Sequence, residues 1–232
     1  MLEQLKQRVC EANLMLVKKR LVVLTWGNAS AVDREHRVVV IKPSGLSYEA
    51  MKPEQMVVVS LDTGRVVEGG LGPSSDTPTH IELYKSFPGI GGIAHTHSLY
   101  ATAWAQGKRE ILPLETTHAD HFHGAIPCTR ELRKKEIASD YERNTGRVIV
   151  ERFRTLNPLE LPAVLVASHG PFTWGTTVEE AVENAVVRER VARMATETLS
   201  LNRSAKSMSR ALLDKHFLRK HGKNTYYGQM KN

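Results

Sequence analysis

The stretch GGIAHTHSLY, residues 91–100, sets two imidazoles two positions apart directly after an apolar run. On a strand, residues i and i+2 point to the same side. His95 and His97 therefore project together, at a spacing that one metal ion can bridge. A third imidazole, His169, closes another apolar run, PAVLVASHG, and is followed by Gly170. Three imidazoles that leave one coordination position open are a catalytic zinc arrangement. Nitrogen donors do not single out zinc, and manganese, cobalt or iron stay open. A lone H-x-H pair would equally suit two histidines satisfied by local hydrogen bonds; the strand-end His169 is what favours a metal.

Three short loops offer a second chemistry. WGN (26–28), KPSG (42–45) and PSSD (73–76) each carry glycine amides, small hydroxyls or both. Ser74 and Ser75 stand just before an expected helix, where free N–H groups and the helix dipole favour an anion. Lys42 can add positive charge. Each loop alone is first of all a turn. Three together suit a phosphate, which needs several converging donors. Acid–base candidates are Asp120, inside the histidine-rich TTHADHFHG (116–124), Asp76 in the serine loop, and Tyr226 and Tyr227 in a polar tail. His118, His121 and His123 suggest a second metal site less than they suggest partners for Asp120.

The elements that must position these groups are legible in outline. Leu2, Leu5, Val9, Ala12 and Leu16 make one helical stripe over 2–19. LVVLTW (21–26) reads as a buried strand closed by Gly27-Asn28, and RVVVIK (37–42) as the next. A hairpin turns about Asp62-Thr63-Gly64. A helix starts near Pro78 behind serine and aspartate caps. GGIAHTH reads as a strand followed by a short helix. Residues 130–143 read as helix and RVIVERF (147–153) as strand. After the strand PAVLVASHG, a long helix is capped by Thr176 or Thr177, and SRALLDKHFLRKHG forms the last. Helices, hairpins and crossovers intermix, which argues for a layered α/β or α+β domain.

The chain has 232 residues, 41% hydrophobic and 25% charged, values for one ordinary globular domain over 1–232. No apolar run is long enough to span a bilayer, and the amphipathic N-terminus lacks a signal-peptide layout. Two distant cysteines suit a reducing cytoplasm. The net charge of +7 is spread over KKR, RELRKK and the C-terminal DKHFLRKHGK, and reads mostly as solvated helix faces. A nucleic-acid binder would need basic motifs interleaved with aromatics, and there are none. No nucleic-acid or membrane partner is expected.

LTWGNASAVDRE, IKPSGL, PSSDTPTH, GGIAHTHS, TTHAD, SHGPFTWG and DKHFLRKHG with the terminal YYGQ resemble L-ribulose-5-phosphate 4-epimerases of the class II aldolase superfamily. The resemblance covers essentially the whole chain. It implies a single-domain, layered α-β-α fold with a mixed central sheet flanked by helices. By motif it places zinc ligands on His95, His97 and His169 with Asp76 as an acid near the metal. It places phosphate and substrate contacts on Gly27, Asn28, Ser44, Gly45, Ser74 and Ser75, with Lys42 close by. Thr116, Thr117 and His216 match further site contacts, and Asp120 and Tyr227 match the acid–base pair. In the family the last two come from a neighbouring subunit of a cyclic homotetramer. Related aldolases carry Glu where Asp76 stands; one methylene less lets this acid stand back from the metal. His121 and His123 replace residues that are often aromatic in the family, and 150–164 is shorter than in some members.

The implied reaction interconverts L-ribulose 5-phosphate and D-xylulose 5-phosphate. C4 of the ketose is β to the C2 carbonyl, so direct proton abstraction there is unfavourable. Cleaving C3–C4 instead sends the electrons into an enediolate, and the glycolaldehyde phosphate fragment can turn and re-add through its other face. The enzyme rival is a ketose-phosphate aldolase that releases both fragments; TTHAD and YYGQ favour the epimerase. The expected setting is pentose breakdown, from arabinose or an ascorbate-type sugar acid.

Overall fold

The four-residue runs Val38–Ile41 and Ala163–Val166 are buried along their whole length, as strands covered on both faces must be. In the computed structural model, which describes residues 2–222 and 225, they belong to one seven-stranded sheet. Its strands are β1 (Gly27–Asp33), β2 (Val38–Ile41), β3 (Val57–Ser60), β4 (Val66–Glu68), β5 (Gly92–Thr96), β6 (Ala163–Val166) and β7 (Gly170–Gly175). Their order is β4-β3-β2-β1-β5-β7-β6. Every ladder between named neighbours is antiparallel. A lone parallel bridge, Cys128 to Leu165, supplies the mixed character.

The helices are α1 (Leu2–Lys18), α2 (Thr77–Ser86), α3 (Leu99–Gln106), α4 (Thr116–Ala119), α5 (Lys134–Ile137), α6 (Tyr141–Arg152), α7 (Val178–Leu201) and α8 (Arg210–His221). Side-chain alternation sends Val39, Val57, Val59 and Ile93 to one core with Leu83, Trp104 and Ile149 from α2, α3 and α6. Val38, Val40, Val58 and Ala94 go to the other, with Val9 and Leu16 of α1 and Ala181 and Ala185 of α7. The layered α-β-α architecture expected from the sequence is thus present, with helices on both faces of the sheet.

Two expected strands are corrected. Residues 21–26 form a turn, not a strand: Leu24 has φ +53, and the Trp26 amide bonds back to the Val23 carbonyl. The sheet position beside β5 goes instead to Gly27–Asp33, whose Ala29, Ser30 and Ala31 are small enough to lie buried under helices. Residues 147–152 continue α6, because Asn144, Thr145, Val148 and Ile149 recur at helical spacing and form its buried face. The strand expected over PAVLVASHG ends at Val166. A turn carrying Ser168 (φ +60) and His169 leads into β7, which the sequence reading missed. Thr177 is the cap of α7, its hydroxyl accepting from the Glu180 amide.

Candidate active site

Strand β5 carries the first histidine, His95. Asn28 of β1 and Phe172 of β7 lie directly across from His95, so the three share one face. Phe172 stacks on the His95 ring at 4.1 Å and 17°. His97 follows two residues on, just beyond the strand end, and His169 sits in the turn between β6 and β7. The ligand atoms of His95, His97 and His169 lie within 4.8 Å of one another, the one such metal-capable group among the described residues.

The details fit a metal. His95 Nδ1 donates to the Pro171 carbonyl at 3.0 Å, which leaves Nε2 as the bare nitrogen. His95 Nε2 and His97 Nε2 face each other at 3.2 Å. Two imidazoles on a tetrahedral zinc would stand about 3.3 Å apart. Burial pushes the His95 imidazole down to about 3 and also lowers His97 and His169, so all three are neutral at neutral pH, the form a metal would need. The donor set therefore suits zinc or another divalent ion that accepts nitrogen.

Asp76 stands beside this group, outside it. Its Oδ2 lies 4.0 Å from His95 Nε2 and accepts from Asn28 Nδ2 at 2.7 Å. Asp76 occupies the N-cap position of α2 without capping it, so the first amides of that helix have no side-chain cap.

The three loops named from the sequence converge. Pro43 and Pro73 form an antiparallel bridge, the Ser44 amide donates to Gly72 O at 2.9 Å, and the Ser74 amide donates to Lys42 O at 3.0 Å. Asn28 Nδ2 also donates to Ser74 Oγ at 3.1 Å, tying the β1 loop to the serine loop. One cavity of about 420 Å³ is lined by Gly27, Asn28, Lys42, Ser44, Gly45, Ser74, Ser75, Asp76 and the three histidines. That volume suits a small sugar phosphate.

Lys42 is the unusual member. It is 2% exposed, and its ammonium donates to the Pro43 carbonyl at 3.2 Å and lies 4.8 Å over the Tyr48 ring. No carboxylate pairs with it among the described residues. Burial lowers its pKa, the mark of a cation held without a counter-charge. Asn28 Oδ1 is likewise buried without a partner among the described residues.

A second cluster forms elsewhere. Asp120 ends α4 and faces α8. Arg219 donates to it through Nε at 3.0 Å and Nη2 at 2.7 Å, His216 Nδ1 lies 3.1 Å away and Lys220 3.8 Å away. Burial raises the Asp120 carboxyl, but the bonds from Arg219 and His216 outweigh it and hold the group below the usual carboxylate range. The basic run on α8 is thus only in part a solvated face. Thr116 and Thr117 open α4, the latter exposed, beside the Glu115 cap. None of Asp120, Thr116, Thr117 or His216 lines the cavity that holds the three histidines. Tyr227 lies outside the described residues. His118 and His123, expected as partners for Asp120, bond elsewhere: His118 Nε2 donates to the Gly124 carbonyl, and His123 meets Glu160 and Asp214 while stacking on Phe217 at 4.3 Å and 5°.

Tyr141 and Glu142 also line the histidine cavity, and the Tyr141 hydroxyl lies 3.4 Å from His169 Nδ1. Sequence reading missed both, since nothing in SDYERN distinguishes a helix start from a site.

Residues 7–196 match the Class II Aldolase and Adducin N-terminal domain. The chain is 53% identical over 228 residues to L-ribulose-5-phosphate 4-epimerase UlaF of Salmonella paratyphi C (strain RKS4594), covering 98% of this chain and 100% of that one. The same values hold for UlaF of Salmonella choleraesuis (strain SC-B67). Among solved structures, an L-fuculose 1-phosphate aldolase superposes with a TM-score of 0.77 at 24% identity, covering 92% of this chain and 94% of that one. YgbL from Klebsiella pneumoniae superposes at 0.74, also at 24% identity, covering 93% and 98%. By sequence and by fold, the chain belongs to the class II aldolase and adducin N-terminal domain family.

Proposed function

We propose that this protein is a metal-dependent L-ribulose-5-phosphate 4-epimerase. The observation that carries the proposal is one cavity that joins three converging imidazoles to a buried Lys42 without a carboxylate partner and the hydroxyls of Ser44, Ser74 and Ser75. Similarity to the UlaF epimerases over nearly the full chain supports the choice of substrate.

His95, His97 and His169 would hold zinc or a similar divalent ion. When bound, that ion supplies Lewis-acid stabilisation of the enediolate charge created when C3–C4 breaks. Asp76, turned onto Asn28, stands back and leaves room for both ketose oxygens. Asn28, which ties Ser74 and Asp76 together at the cavity wall, is a substrate contact. Lys42, Ser44, Gly45, Ser74 and Ser75 hold the phosphate of the aldehyde fragment while its carbonyl turns. Gly27 shapes the backbone beneath them.

Asp120 and Tyr227 exchange the proton of the C4 oxygen on its two sides. The Arg219 clamp keeps Asp120 ionised at neutral pH, which suits it to take that proton. That the Asp120 cluster lies off the histidine cavity supports a second copy bringing it there, as in a cyclic homotetramer. Thr116, Thr117 and His216 would arrive with it. The turn with Leu24 73% and Trp26 54% exposed, at the edge of the cavity, supports an interface there. The whole chain acts as one catalytic domain. A cytoplasmic place in pentose breakdown completes the proposal. Free Cys10 and Cys128 are in keeping with a reducing compartment, and no helix among the described residues is long and apolar enough to cross a membrane.

The test is a coupled assay on metal-loaded and chelator-treated enzyme with L-ribulose 5-phosphate. D-Xylulose 5-phosphate and free glycolaldehyde phosphate are both quantified. Metal-dependent xylulose phosphate with little free aldehyde supports the epimerase. Accumulating aldehyde would make the protein an aldolase instead. Asp120→Asn and Tyr227→Phe should keep the metal and lose ~10²–10⁴-fold in turnover; near-wild-type rates in both would refute their roles.

A further inference from the structure

The three imidazoles are not anchored alike. His95 is paired on both sides within the sheet, and its Nδ1 bonds the Pro171 carbonyl. His169 has the Tyr141 hydroxyl near its Nδ1. His97 stands past the end of β5, exposed, and among the described residues its ring meets only His95 at hydrogen-bond distance. Its place therefore depends on the backbone turn Thr96-His97-Ser98.

That turn is gripped by two neighbouring residues of α7. Arg188 is 1% exposed and lies on the buried face of the helix with Ala185, Val191 and Ala192. Its Nη2 donates to Thr96 Oγ1 at 3.2 Å and to Ser98 Oγ at 3.1 Å. Thr96 Oγ1 in turn reaches Ser98 Oγ at 3.3 Å. Ser98 holds the N-cap position of α3 but does not cap it. Its hydroxyl donates to Glu189 Oε2 at 2.7 Å, and the Glu189 carboxylate accepts from the amides of Tyr100 at 2.8 Å and Ala101 at 3.0 Å. The cap of α3 is thus supplied from α7. A negative charge is favoured at that helix start. A local serine cap would leave the turn independent of α7; this arrangement fastens both residues flanking His97 to one long, buried helix.

The arrangement is costly as a purely structural device. Arg188 Nε and Nη1 are buried without an acceptor among the described residues, and Arg188 makes no hydrogen bond to a carboxylate there. Burial lowers its pKa to about 10, so it stays ionised at neutral pH. A buried guanidinium with unmet donors works against folding, and an apolar residue of similar volume would serve packing better.

We infer that Arg188 and Glu189 are positioning residues that set His97 as a metal ligand through Thr96 and Ser98. The inference rests on the reading of His95, His97 and His169 as the metal group. Neither residue touches the metal or the substrate. Their effect is to hold the third nitrogen where the other two already point, which is how groups beyond the ligands tune affinity.

The experiment measures the zinc dissociation constant of the full chain by competition with a chromogenic chelator, beside thermal melting of the metal-free protein. The proteins are wild type, Ser98→Ala, Ser98→Thr, Glu189→Gln, Arg188→Met and His97→Ala. Ser98→Ala, Glu189→Gln and Arg188→Met should each weaken zinc binding by about 10–100-fold. Ser98→Thr, which keeps the hydroxyl, should bind zinc as wild type does. Arg188→Met should melt, metal-free, no lower than wild type, which a structural role for Arg188 would not allow. Zinc constants within about twofold of wild type in Ser98→Ala and Arg188→Met would overturn the inference and leave the metal site standing. If Arg188→Met melts lower than wild type or does not fold, the positioning role of Arg188 is refuted, and Ser98→Ala, the loss of one oxygen, decides the rest. If wild type binds zinc no better than His97→Ala, the metal reading itself fails, and this inference falls with it.

Discussion

Replacing Gly27 with alanine should strike the metal strand from beneath. Gly27 has φ +131, a conformation that L side chains rarely adopt. A Cβ there would stand 2.8 Å from the His95 carbonyl oxygen and 2.8 Å from Val22 Cγ1. The valine can turn away. The His95 carbonyl cannot, because Gly27 pairs with Thr96 and Asn28 with His95 across the two strands. Two costs follow: about 1–3 kcal/mol for the backbone conformation and about 1–3 kcal/mol for the forced overlap. Together they make roughly 2–6 kcal/mol, a large share of a typical net stability of about 5–15 kcal/mol. The assay is urea unfolding of the metal-free protein, with zinc affinity measured alongside. Gly45→Ala is the control, since it has φ +65 and nothing within 4 Å of its Cβ, so it should show only the backbone cost of about 1–2 kcal/mol. Zinc binding should weaken in Gly27→Ala alone. If the two variants lose the same stability, or Gly27→Ala loses less than about 0.5 kcal/mol, the close approach does not govern this strand.

Lys42→Met should raise KM for the sugar phosphate by about 10–100-fold, as expected for a lost charge-assisted contact of about 1.5–3 kcal/mol. Its metal-free melting temperature should hold or rise, because a buried ammonium with no carboxylate partner among the described residues is removed; an unchanged KM would refute the proposed phosphate role of Lys42. Burial pushes His80 and His118 down to about 4, below the unfolded value of about 6.5. The unfolded chain then binds more protons, so their contribution is whole above pH ~6.5 and drains away as pH falls toward about 4, at up to ~1.4 kcal/mol per pH unit for each histidine. A flat urea midpoint between pH 7 and 5 would contradict this. Chelator-treated enzyme should lose epimerisation and regain it with zinc, while His97→Ala should stay inactive at any zinc concentration that saturates wild type; equal rescue of both would show that His97 is no ligand.

Much of this protein is settled by local sequence. The stripe Leu5, Val9, Ala12, Leu16 makes α1 because one helical face must find a core. Val38–Ile41 makes a strand because four consecutive buried β-branched residues suit a sheet covered on both sides. The H-x-H spacing of His95 and His97, and the glycines and small hydroxyls of WGN, KPSG and PSSD, stand in the residues themselves. Apolar content misled where it carried no periodicity. LVVLTW looks more like a strand than GNASAVD, yet the sheet takes the latter: Ala29, Ser30 and Ala31 lie buried beneath the helices while Val23 and Leu24 stay exposed. RVIV reads as a strand until Asn144 and Thr145 extend its buried face one turn back into a helix. Long-range facts have no local signal at all. That His169 meets His95 follows from β7 pairing with β5; that Lys42 is buried without a carboxylate follows from which loops close over it. Asp120 is held ionised by Arg219, a residue 99 positions away. Arg188 is legible as a charge on an apolar stripe, but only the packing of α7 against the β5–α3 turn shows what it holds. Residue types set what chemistry was available here; the antiparallel pairing of β1, β5 and β7 and the helices packed on them decided which of those residues meet.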